Sequence, residues 1–152
     1  MSEYPRQDQR IVLRLADASS ITGMINVTGR TVEAVVRDES DPNLLVYDAT
    51  GEDGRGYETT LISKHQILWI EMPAAAQSPR SEAGDWRSVT FRFKNGHELA
   101  GEIDITGFDR PSDYFPAHAG HLYQVRAKVA AEREPQLSFV ASDHVVLREL
   151  RS

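Results

Sequence analysis

Two histidines stand directly before apolar segments near the ends of two similar stretches, and one of them follows a lysine. The pairs are Lys64-His65 and Asp143-His144. An ammonium group and a neutral imidazole can contact phosphate or a base edge, whereas an imidazole can equally satisfy backbone groups where a strand begins. We favour the structural explanation for His65 and His144, because one repeated role accounts for both. The alternative is an RNA or subunit-interface contact.

The other histidines and one group of acids suggest metal binding, but their spacing does not support it. Zinc needs at least three fixed ligands, and His118 and His121 sit in a predicted loop, distant in sequence from His97. The acids at positions 38, 39 and 41 miss the alternating pattern of a calcium loop. We predict neither a metal nor another cofactor.

No set of residues supplies a nucleophile together with its base. The chain has no cysteine, no serine in a nucleophile-elbow context and no carboxylate pair at matched places. The glycine-rich segment 51–56 contains two acids and lacks the Gly-Lys-Ser/Thr ending that holds phosphate, so it is predicted to be a hairpin turn. We expect a protein that is not an enzyme.

Composition indicates a soluble globular chain of 152 residues, with 40% hydrophobic and 26% charged residues and a net charge of −6. Residues 11–72 contain five Lys or Arg and ten Asp or Glu, whereas residues 86–152 contain nine of each. A polyanion requires a concentrated basic surface, so charge argues against nucleic acid and we expect no DNA partner. Neither a long apolar segment nor a secretory leader is evident, which predicts a cytoplasmic protein without membrane association.

The elements that would position these residues occur twice. Residues 11–29 match residues 89–107 at an offset of 78, and residues 62–68 match residues 141–147 at an offset of 79. Two small units joined by a proline-punctuated linker follow from this duplication. The predicted organisation is a polar segment at 1–10, a first unit at 11–72, a linker at 73–85 and a second unit at 86–152.

Each unit begins with residues that alternate between apolar and polar, as expected of strands with one buried face. Asn95-Gly96 after the first strand of the second unit predicts a type I′ hairpin turn. The first unit has Asp17-Ala18 there and is expected to form a looser turn. Gly23 and Gly101, in the middle of each second strand, predict a bend, a bulge or close backbone approach and hence a structural role.

The rest of each unit is predicted from shorter patterns. Thr31 is expected to cap a short helix over 31–36, and residues 110–115 form a helical turn or tight loop. Further strands are predicted at 44–49, 57–62, 66–71, 122–128, 137–141 and 145–149.

This arrangement resembles the Sm-like barrel of Sm, LSm and bacterial Hfq proteins. The shared motif is a strand, an Asn-Gly turn and x-Leu-x-Gly-x-Ile, at residues 91–103 and in weaker form at 13–25, followed by Lys-His before the last strand. The resemblance implies an all-β fold with short helical turns, built as two tandem five-stranded Sm-like barrels. It also implies self-association through edge strands, with three chains forming a pseudo-hexameric ring.

The Hfq-type match implies RNA contact by Lys64 and His65, with Arg92 and Lys94 as further basic candidates beside Arg87 and Arg126. Sm proteins place Asp and Asn after the bent strand and Arg-Gly before the last strand, but this chain has Thr-Gly at 28–29 and 106–107 and no such Arg-Gly. Because Asp143 replaces the lysine in the second unit, it would repel phosphate. We therefore favour a protein-interaction scaffold or regulatory adaptor, with an RNA-binding module as the alternative.

Overall fold

The computed structural model describes residues 7–72, 84–117, 122–127 and 136–150. The chain divides into two units, Met1–Ile70 and Glu71–Ser152. The described residues are mostly β-strand with short helices, so the predicted all-β class is confirmed. Most of the predicted linker at 73–85 lies outside the described residues.

The first unit contains five antiparallel strands and one short helix. Among the strands that the structure describes, the spatial order in this unit is β5-β1-β2-β3-β4, with β4 at the open end beside β3. A single 3₁₀ turn, Lys64–Gln66, leads into the last strand. The elements are β1 (Asp8–Leu15), β2 (Ser20–Asn26), α1 (Val32–Arg37), β3 (Asn43–Gly51), β4 (Gly56–Ser63) and β5 (Ile67–Glu71).

The second unit repeats this topology. Its order is β10-β6-β7-β8-β9, so in both units the last strand lies beside the first. Within the described ranges, β6 is the neighbour of β10, which lies at the end of the order. A 3₁₀ turn, Ser142–His144, again precedes the last strand. The elements are β6 (Trp86–Phe93), β7 (Glu98–Asp104), α2 (Pro111–Ala117), β8 (Leu122–Ala127), β9 (Gln136–Ala141) and β10 (Val145–Leu150).

The first hairpin has the same turn in both units, which corrects two predictions. In unit 2, Phe93 N donates to His97 O and Gly96 N donates to Phe93 O; Leu15, Ser19 and Ala18 make the matching bonds in unit 1. The turns run from Phe93 to His97 and from Leu15 to Ser19. In each turn only the fourth residue has positive φ, +89° at Gly96 and +76° at Ala18. This pattern is a three-residue loop with one left-handed residue rather than a type I′ turn, and unit 1 is not looser.

The mid-strand glycines lie where the third strand approaches the second. A Cβ at Gly101 would be 2.8 Å from Arg126 O and 3.1 Å from Ala127 Cα, and a Cβ at Gly23 would be 3.0 Å from Tyr47 O. Any side chain there would push two paired strands apart. Beside this approach, β3 contains a bulge between its pairs with Thr22 and Met24.

The two cores are filled differently. In unit 1, aliphatic side chains from the inward faces of β1 to β3 are buried, among them Ile11, Leu13 and Val46. Unit 2 instead contains an aromatic cluster in which the Phe91 and Tyr123 rings stack with centroids 5.8 Å apart and Phe115 meets both edge-on. The second core therefore adds an aromatic cluster to aliphatic side chains such as Ile103 and Val125, whereas the first buries Trp69 along with its aliphatic side chains.

Candidate functional site

Lys64 lies between β4 and the end of α1. Its Nζ donates to Val35 O at 3.0 Å and to Asp38 O at 2.8 Å, and the side chain is half-buried. The last carbonyls of a helix have no partner within the helix, and a cation is favourable at that end. Thr31 Oγ1 accepts from Ala34 N at the other end, so the predicted N-cap is confirmed. Lys64 therefore completes a six-residue helix that could not be stable alone.

A cleft of about 350 Å³ opens beside this lysine. Two of its charged side chains form an ion pair, because Arg30 Nη1 donates to Asp38 Oδ2 at 3.3 Å. Hydrogen bonds from the Ser40 hydroxyl and backbone N–H lower the pKa of Asp38, assisted by Arg30 and Lys64. The cleft is lined by Ile25, Asn26, Thr28, Arg30, Val35, Asp38, Asp41, Asn43, Leu44, Leu45, Tyr47 and Lys64.

The polar residues after the second strand of each unit hold a turn. Asn26 Oδ1 accepts from the backbone N–H of Thr28 at 2.9 Å and from its hydroxyl at 2.7 Å. Asp104 Oδ1 accepts the same two bonds from Thr106 and a third from Asp85 N at 3.0 Å. These bonds, led by the Thr106 hydroxyl, lower the pKa of Asp104. The polar side chains that follow the second strand of each unit are thus engaged in local structure.

The two repeated histidines are not equivalent in the structure. The 3₁₀ turns Lys64–Gln66 and Ser142–His144 correspond at an offset of 78. Gln66 O accepts from Ala16 N, and His144 O accepts from Lys94 N, so His144 matches Gln66 rather than His65. The inserted residue lies in β10, where the register shifts between Val145 and Leu147. The offset of 79 assigned to residues 62–68 is therefore wrong for the turn, and the argument from a repeated histidine fails.

The remaining basic candidates belong to unit 2 and differ in exposure. Arg92 and Lys94 are exposed at the end of β6 and just after it, with Glu98 directly opposite Arg92 in the register. Arg126 is buried, donates from Nη2 to Glu102 Oε1 at 3.0 Å and stacks on Trp86 with Cζ 4.0 Å from the ring centroid. Arg92 and Lys94 are therefore accessible cations, whereas Arg126 is not.

The sequence predictions did not include an exposed apolar surface on the β3–β4 hairpin. Leu61 is 64% exposed, Leu45 38% and Tyr57 36%, and Leu45 lies directly opposite Leu61. The other large apolar side chain exposed within the described ranges is Val146 on β10, at 52%. The sequence contains a signal for this surface, because both strands of the hairpin have two apolar residues side by side. Adjacent residues in a strand face opposite sides. When only one side of the sheet is covered, one apolar residue of each such pair must be exposed.

Comparison with protein-family models, with curated proteins and with solved structures gives no match. Within the described ranges, no three metal-ligating side chains come together to hold an ion, and His118 and His121 lie outside those ranges. Among the helices that the structure describes, none has the length and apolar character needed to cross a membrane. The function must therefore be argued from the chain's own surfaces.

Proposed function

We propose that the protein is a non-enzymatic scaffold or adaptor built from two Sm-like barrels, and that its copies associate through their edge strands. The repeated strand order, with the last strand beside the first, and the close approach of the third strand at the glycine of the second support the barrel assignment. Closure of each sheet into a barrel is part of this proposal.

The observation that carries the proposal is the pairing of open edges with exposed apolar side chains. β4 ends the strand order of unit 1 and carries Leu61, and β10 ends that of unit 2 and carries Val146. An edge strand presents unpaired N–H and C=O groups, and sheets usually cover such an edge or place charges on it. Pairing β4 of one copy with β10 of another would satisfy both edges and shield both side chains.

Such a contact joins two different surfaces, so it repeats from copy to copy until a ring closes or a filament forms. Three copies would present six units, which is the pseudo-hexameric ring expected from the resemblance. Light scattering coupled to gel filtration measures this directly. A monomer at micromolar concentration would refute the association.

Charge variants test which strands pair. Leu61→Glu and Val146→Lys should each block association of the pure variant, because each places a charge against an apolar side chain across the new strand pair. Mixing the two variants should restore association, since the introduced carboxylate on β4 would then face the introduced ammonium on β10. Mixed variants that stay monomeric would exclude a β4–β10 contact, with circular dichroism confirming that both remain folded.

RNA binding is the alternative, favoured by the exposure of Arg92 and Lys94 at the end of β6. It is weakened by the engagement of Lys64 with the carbonyls of α1 and by Glu98 opposite Arg92. Polarisation assays with U-rich and A-rich oligonucleotides at low salt discriminate the two functions. Submicromolar, salt-sensitive binding that is lost in Arg92→Ala/Lys94→Ala would favour RNA.

A further inference from the structure

The cleft beside Lys64 combines charges of both signs with apolar side chains. Val35 and Leu44, which are largely buried, line it together with the exposed Arg30 and Asp41. Its volume of about 350 Å³ lies near the lower end of the ~300–1,000 Å³ that small-molecule sites occupy. The cleft therefore has room for a small molecule that is apolar in one part and charged in another.

Two of the four charged side chains in the cleft are already engaged, and two are open to a ligand. Lys64 Nζ donates to two backbone carbonyls, and both carboxylate oxygens of Asp38 accept hydrogen bonds within the unit. Asp41 accepts a backbone N–H through Oδ1 at 3.0 Å, and its Oδ2 bonds to no residue that the structure describes. Arg30 donates only through Nη1 to the described residues, in an exposed ion pair of the kind that contributes little to stability.

Asn43 adds a neutral polar group to this cleft. It is half-buried at the start of β3, and its side-chain amide makes no hydrogen bond within the described ranges. An amide that is partly removed from water gains from any ligand group that offers it a hydrogen bond. The open groups are thus one cation, one anion and one amide.

Unit 2 has an aromatic ring where unit 1 has the open cation. Arg30 and Phe108 follow the same turn, and each donates its backbone N–H to the carbonyl three residues earlier. Phe108 packs edge-on against the buried Tyr114, with ring centroids 5.7 Å apart. Because the backbone is the same in both units and the side chain is not, the turn itself does not account for Arg30.

The open groups define the ligand by charge. The Nε and Nη2 atoms of Arg30 lie on one edge of the guanidinium and can bind both oxygens of a carboxylate, while Asp41 can accept from an ammonium group. A phosphate would meet two carboxylates and one open cation, and a metal ion would meet a guanidinium. We infer that the cleft of unit 1 binds a free α-amino acid with an apolar side chain. This site is independent of the edge-strand association proposed above.

Isothermal titration calorimetry with L-leucine tests the inference on the full chain. Saturable binding is expected with a dissociation constant of roughly 0.1–1 mM, because the ligand is small and its charged groups exchange bonds with water for bonds with protein. Leucinamide lacks the carboxylate, 4-methylpentanoate lacks the ammonium group and glycine lacks the apolar side chain, so each should bind about tenfold more weakly or less. Absence of saturable leucine binding at millimolar concentration, or equal affinities for all four compounds, would overturn the inference.

Two variants locate the binding in the cleft, each with a matched control. Asp41→Asn retains the Oδ1 acceptor and removes the charge, whereas Asp53→Asn makes the same change at a carboxylate that accepts from Arg55 N outside the cleft. Arg30→Gln removes the open cation, whereas Arg37→Gln removes an exposed, ion-paired arginine that does not line the cleft. The two cleft variants should weaken leucine binding about tenfold and the two controls should leave it unchanged. Equal losses in variants and controls would refute the assignment.

Arg30→Phe copies the residue of unit 2 into unit 1 and should abolish leucine binding, with circular dichroism confirming that the variant is folded. Full retention of binding by this variant would overturn the inference. Light scattering on the same samples separates the two proposals. A monomer that binds leucine would refute only the edge-strand association, and an assembled protein that does not bind leucine would refute only the cleft ligand.

Discussion

Replacing Lys64 with methionine should destabilise unit 1 by about 2 kcal/mol. Methionine keeps the unbranched stem but removes the ammonium that donates to Val35 O and Asp38 O. A hydrogen bond from a charged donor contributes about 1.5–3 kcal/mol, but at a half-buried position water can replace part of it. Removing a cation from the end of α1 costs a further 0.3–1 kcal/mol or so, roughly as at other helix ends. Two partly solvated bonds and the lost charge together give the stated figure.

Urea unfolding followed by circular dichroism measures the change. The matched control is Lys94→Met, because Lys94 is exposed just after β6 and its removal should cost less than about 0.5 kcal/mol. If both variants lose the same small amount, the contacts of Lys64 contribute nothing to stability. A Lys64→Met protein of unchanged stability that had lost RNA binding would refute the structural assignment and restore the Hfq-like one.

Four further substitutions test the turns, the close strand approach and the acid response. Ala18→Gly should raise the free energy of unfolding by about 0.5–1 kcal/mol, because Ala18 holds a φ of 76°. Gly96→Ala should lower the free energy of unfolding by a similar amount. Urea unfolding measures both changes, and two shifts of the same sign would contradict this reasoning. Gly101→Val should cost about 1–3 kcal/mol or prevent folding, because its Cβ would meet Arg126 O; an unchanged thermal melt would rule the clash out. The folded pKa of Asp104 lies below the ordinary 3.8, so its stabilisation is complete above that value and is lost as pH falls through the folded pKa. Asp104→Asn should therefore lose less stability than the unmodified protein between about pH 5 and pH 2, and a steeper loss would show that this carboxylate is not the source.

The periodic and local features of the fold could be predicted from the sequence. Alternation identified the first strands, the duplication anticipated the shared topology, and Thr31 marked the start of α1. These signals depend on residues a few positions apart, which is the range over which backbone geometry is set by local sequence.

Features that depend on distant contacts or on one-residue shifts could not be predicted. Asn-Gly fits more than one hairpin turn, and the hydrogen bonds around Gly96 select the three-residue loop. The carbonyl acceptors of Lys64 are 26 and 29 residues away in the chain. Matching His65 with His144 placed the inserted residue before the 3₁₀ turn, whereas the structure places it within β10. Identity of two side chains was weaker evidence than the register of the strands.

The position of β5 beside β1 has a consequence for synthesis of the chain. The hairpins from β1 to β4 join neighbouring segments and can form in microseconds, but β1 gains its second neighbour only after about 50 more residues are made. At about 5–20 residues per second the ribosome needs roughly 3–10 s for that length. During this interval one edge of β1 stays unpaired, so the nascent protein is most vulnerable to misassembly before its fifth strand emerges.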